Sequence, residues 1–107
     1  MDFRKMGEDI GLDEDEFLEM TELYLETSHS DLNKLLASVL ESDIAEVVER
    51  AHSLKGASGN MGFVEIYEIA REIEMNARDK VLEGAEEAIS TIREQLNFIS
   101  EQIKSKL

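Results

Sequence analysis

A chain of 107 residues carrying 25 carboxylates against 11 Lys and Arg has a formal net charge of −14, and 42% of it is hydrophobic. That balance describes one soluble globular unit over residues 1–107, and it excludes phosphate backbones and anionic membranes, which are bound through clustered Lys and Arg. The absence of cysteine removes disulfides and thiolate metal sites, and the apolar runs are too short for a membrane span or signal peptide.

In chain order almost everything is predicted helical. Phe3, Met6 and Ile10 form a short amphipathic helix that Gly11 stops. Asp13 caps a second helix whose first turn holds Glu14, Asp15 and Glu16 at its positive end. Phe17, Met20, Tyr24, Leu32, Leu35, Val39 and Leu40 recur along it at helical spacing to about Ser42, and Thr27, Ser28 and Asp31 interrupt the stripe. Asp43, with Glu46 three residues on, starts a third helix with Ile44, Val47, Val48, Ala51, Leu54, Ser58 and Met61 on one side and Gly62 at its end. A fourth runs from about Val64 to Lys80 on Ile66, Ile69, Ala70, Ile73 and Ala77. Gly84 then precedes a last helix striped by Ala85, Ala88, Ile89, Ile92, Leu96, Ile99 and Ile103. Short connections make sequential helices antiparallel. The fold class is therefore all-α: an antiparallel up-down four-helix bundle with a short extra N-terminal helix. The terminal Ser105-Lys106-Leu107 matches a peroxisomal address, but an amphipathic helix end supplies the same residues, and a cytoplasmic monomer is expected.

The window Arg50–Val64 breaks the chain's habits. It holds Gly56, Gly59 and Gly62, half of all the glycines, although glycine costs about 1 kcal/mol relative to alanine within a helix. It also lacks any carboxylate, where the average density of this chain would place about three or four. His52 lies roughly 120° from the centre of the apolar face of its helix, at the edge of the buried seam or beyond it. Lys55, Gly56 and Gly59 follow at i+3, i+4 and i+7 on the same side. An imidazole and an ammonium group thus share a patch with two positions lacking side chains, where a partner's backbone can approach closely. An anion arriving there meets Arg50 and Lys55 in place of the repulsion found elsewhere. His29, in an ordinary polar stretch, has no such surroundings.

The stretch "AHSLKGASGNMGF" resembles the signature of histidine-containing phosphotransfer (HPt) domains: His52, then Lys55 and Gly56, then Gly62. The resemblance covers nearly the whole chain, because that family is also an antiparallel four-helix bundle with its histidine on an exposed helix side. It implies that His52 accepts a phosphoryl group and hands it on, exchanging with the aspartate of a response-regulator receiver domain or with a histidine kinase. It further implies that Lys55 offsets charge on the phosphoryl oxygens. The receiver would dock over Gly56 and Gly59 beside Arg50. Glu74, on the next helix, resembles the family's ring-orienting carboxylate or amide, and an antiparallel hairpin turning near Gly62 and Phe63 brings positions close to 73 opposite 52. Such a group holds the second ring nitrogen and fixes the tautomer.

Two alternatives are weighed against this carrier. One is the phosphoacceptor module of chemotaxis-type kinases, which shares the Gly62-Phe63 pair, but Arg71 stands where that branch tends to carry histidine. The other is a non-catalytic acidic helical adaptor. An enzyme or autokinase is disfavoured because there is no phosphate-binding glycine loop, nucleotide motif or second histidine near His52. No cofactor is expected, and neither histidine has the paired spacing of a metal site.

Overall fold

The structure, a computed structural model, describes residues 1–106. The closing Ser105-Lys106-Leu107 therefore runs out of the described residues at Leu107. Five helices follow one another: α1 (Phe3–Asp9), α2 (Glu14–Leu40), α3 (Ile44–Met61), α4 (Val64–Arg78) and α5 (Ala85–Lys106). Each of α2 to α5 packs against the next, and α5 closes the ring against α2, with α1 laid on α2. At 1.5 Å per residue the 27 residues of α2 span about 40 Å, which sets the 41 Å long axis. Among the described residues no helix is long and apolar enough to cross a membrane.

Local chemistry sets most of the boundaries. Asp13 and Glu16 form a reciprocal capping box at the start of α2, and the Asp43 carboxylate accepts from the Glu46 amide at the start of α3. Gly62 ends α3 in the left-handed region (φ 82°), where the Phe63 amide reaches back to the Ser58 carbonyl at 2.9 Å. The same device ends α4 with a non-glycine residue. Lys80 takes φ 63° and the Val81 amide bonds the Asn76 carbonyl, so α4 stops at Arg78, before the expected Lys80.

The core is built from Phe17, Leu32, Leu35, Val47, Leu54, Ile66, Ile89, Ile92 and Leu96, all essentially inaccessible, each worth roughly 1.5–3 kcal/mol in burial. At one end an aromatic run links Phe3 to Phe17 (6.1 Å between ring centres), Phe17 to Phe63 (6.3 Å) and Phe63 to Tyr24 (4.9 Å). This run ties the α3–α4 turn to α1 and α2. Gly7 packs so closely there that a Cβ would come within 2.9 Å of the Phe17 Cβ.

The stripe expected on α2 needs correction. Met20 and Leu40 are exposed, as is Ile10 beyond α1. Thr21, Ser28 and Asp31 lie inside instead. The face of α2 against α3 is partly polar because it carries cross-helix hydrogen bonds: Tyr24 Oη meets Ser58 Oγ at 2.7 Å, and Ser53 Oγ donates to Asp31 Oδ2 at 3.1 Å. These two pairs fix the level of α2 against α3, and with it the surroundings of the residue next to Ser53.

The His52 patch as candidate functional site

His52 stands on the outer side of α3, and its side chain is 63% exposed. Helical spacing puts Ser53 toward α2 and His52 toward α4, so the two neighbours bond in opposite directions. On the α4 side, Glu74 Oε2 lies 3.0 Å from His52 Nδ1. Although α4 is amphipathic, Glu74 is buried, its side chain only 4% exposed. A carboxylate so placed needs compensation. Lys55 Nζ bonds its Oε1 at 2.8 Å, and Arg78 Nη2 bonds its Oε2 at 2.8 Å. Burial pushes the carboxyl pKa up. The hydrogen bonds from Lys55, Arg78 and His52, with the Lys55 charge, outweigh it and hold the group at about 2. Glu74 is therefore anionic and accepts only. The ring nitrogen facing it must carry the proton, which leaves the Nε2 lone pair of a neutral ring free on the exposed side.

A family model described as Hpt domain matches residues 19–102, well over half of the chain. This chain belongs to the Hpt domain family. Its fold is similar to the crystal structure of histidine-containing phosphotransfer protein B (HptB) from Pseudomonas aeruginosa PAO1. The TM-score is 0.79 at 28% identity, covering 87% of this chain and 81% of that one. A comparison with curated proteins finds no match.

Within this Hpt domain the residues singled out in the sequence divide by helix pairing. His52, Lys55 and Glu74 come together as one cluster. Lys55 does not project free beside the ring. It is 23% exposed and bound to Glu74. Arg50 is held by α2 and by its own helix, Nε on Glu46 Oε1 at 2.6 Å and Nη1 toward Asp31 Oδ1 at 3.7 Å. The glycines separate as well. A Cβ at Gly56 would meet nothing within 4 Å, so its surface is open. A Cβ at Gly59 would come 3.0 Å from Tyr67 Cδ1, so this glycine admits the Tyr67 ring of α4. Gly62 serves the turn through its positive φ. Two of the three glycines thus have structural reasons, and Gly56 alone has none inside the fold.

Sequence reasoning missed Arg78 and Asp31. Arg78 was readable as an i+4 partner of Glu74. Asp31, which receives Ser53 and Arg50 from α3, had no local signal because its partners are on another helix. His29 lies apart from this cluster. Burial and the nearby Arg93 charge lower its pKa, which favours a neutral ring between α2 and α5. Among the described residues no group of three His, Cys, Asp or Glu could hold a metal ion.

Proposed function

We propose that this Hpt domain is a phosphoryl carrier in which His52 Nε2 exchanges a phosphoryl group with the aspartate of a response-regulator receiver domain. The observation that carries this reading is the 3.0 Å contact between a buried, anionic Glu74 and Nδ1 of an exposed ring. The Nε2 lone pair attacks phosphorus, the N–P bond forms, and the P–O bond to the aspartyl carboxylate breaks, the carboxylate leaving with the electron pair. The ring then carries positive charge, with Nδ1–H still bonded to Glu74, whose negative charge balances it. Reversal returns the group to a carboxylate. The cluster has two cations, Lys55 and Arg78, against one carboxylate, and this excess offsets charge on the incoming phosphoryl oxygens. The open surface at Gly56, one turn from His52, leaves room for the receiver's backbone.

A receiver or a histidine kinase is the expected source of the phosphoryl group. The test is incubation with a panel of phosphorylated receiver domains, reading label on the Hpt domain. Label on His52 in at least one pairing, lost in His52→Gln, supports the reading. No transfer from any receiver or kinase, in a domain that folds, refutes it.

A further inference from the structure

Helices α3 and α4 carry four cations, and three of them are spoken for. Lys55 and Arg78 are bonded to Glu74, and Arg50 to Glu46 and Asp31. The fourth is Arg71. It is exposed, and among the described residues it makes no ion pair or side-chain hydrogen bond. Glu68 and Glu72 line the same shallow surface depression with Tyr67 and Met75, but neither reaches its guanidinium. A free arginine is notable in a chain with more than twice as many acids as bases.

Its place is fixed by the pairing of α3 with α4. Glu74 faces His52 and Lys55, and Tyr67 packs on Gly59. Arg71 lies between them on α4, four residues after Tyr67 and three before Glu74, on the helix side that borders α3. It therefore stands at the level of Lys55 and Gly56, at the edge of the open surface. Nothing within the fold uses its charge. An exposed guanidinium offers a fork of donors matched to a carboxylate, and it gains most from a partner that removes it from water.

We propose that Arg71 is a specificity-determining residue that pairs with a carboxylate on the docking face of the receiver domain. The proposal rests on the phosphorelay reading and adds to it the group that selects among receivers. Because Arg71 makes no hydrogen bond or ion pair with His52 or Glu74, it acts on the encounter with the protein partner and not on the phosphoryl chemistry.

The test compares Arg71→Glu and Arg71→Lys with the parent domain, using the receiver that transfers best and phosphoramidate as a small donor. Arg71→Glu should lower kcat/KM for the receiver by about tenfold or more while kcat at saturation changes little. The parent's rate should fall with added salt more steeply than the variant's. Arg71→Lys, which keeps the charge but loses the fork, should fall between the parent and Arg71→Glu, and phosphoramidate should label His52 equally in all three. Receiver transfer unaffected by Arg71→Glu overturns the proposal. So does equal loss of phosphoramidate labelling, which would place Arg71 in the chemistry. If the parent takes no label at His52 from either donor, the phosphorelay reading fails first and the Arg71 proposal falls with it.

Discussion

The buried carboxylate of Glu74 meets the exposed imidazole of His52 at 3.0 Å, Oε2 to Nδ1. The pair combines opposite environments: the acid is removed from water and the ring is left in it. Two cations keep the acid ionised, and the ionised acid determines which ring nitrogen carries the proton. The proton position of a ring at the surface is thereby set by a group inside the bundle.

Removing the charge of that acid should alter stability in a pH-dependent way. The Glu74 carboxyl is depressed from 4.5 to about 2 in the folded chain. Its contribution is therefore fully present above 4.5 and is lost as pH falls through about 2, because the unfolded chain takes up a proton that the folded one refuses. Urea midpoints of the parent and Glu74→Gln should differ most near pH 6 and converge toward about pH 2. A difference that stays constant across that range would show that Glu74 is not held ionised.

Phosphoryl label should sit on one histidine. His52→Gln should abolish labelling, and His29→Gln should leave it, because His29 lies away from the Glu74 cluster. The label should be acid-labile and base-stable, as for phosphohistidine. Label surviving in His52→Gln, read by mass spectrometry, would overturn the assignment.

Lys55 is expected to serve both stability and transfer. Its ammonium bonds a buried oxygen, so Lys55→Ala should cost roughly 1–2 kcal/mol, more than the 0–1 typical of an exposed pair. Transfer should slow as well. A double-mutant cycle with Glu74→Ala should give a coupling energy of at least about 0.5 kcal/mol. Purely additive losses would separate the two residues.

The two glycines that follow His52 on α3 should respond differently to a methyl group. Gly56→Ala enters open space and should stabilise the domain by up to about 1 kcal/mol, or about 4–8 °C in Tm. Gly59→Ala must displace the Tyr67 ring from 3.0 Å and should fall short of that gain or destabilise. Gly56→Gln should keep the stability gain yet slow transfer from a receiver, while small donors still label His52. A destabilised Gly56→Gln would mean that Gly56 is needed for packing.

The sequence by itself determined what depends on neighbours along the chain. Asp13 and Asp43 start helices by accepting amides three residues on, and Gly62 ends α3 through its own φ, so these boundaries were legible. His52, Lys55 and Gly56 share one side of α3 because i, i+3 and i+4 always do. The tertiary structure decided whatever needed a second helix at a definite level. Asp31 is buried because α3 approaches α2 along a partly polar face held by Tyr24–Ser58 and Ser53–Asp31, with Ser28 also inside and Met20 and Leu40 left outside. The nearest acid to Lys55 along α3 is Glu49, and yet its ammonium is taken by Glu74 across the α3–α4 interface. Gly56 and Gly59 are identical on the chain, but only one has a tyrosine ring above it. Helical periodicity is a property of a single strand of sequence, whereas the level at which two helices meet is set by how all their side chains pack together, and no single stretch contains it.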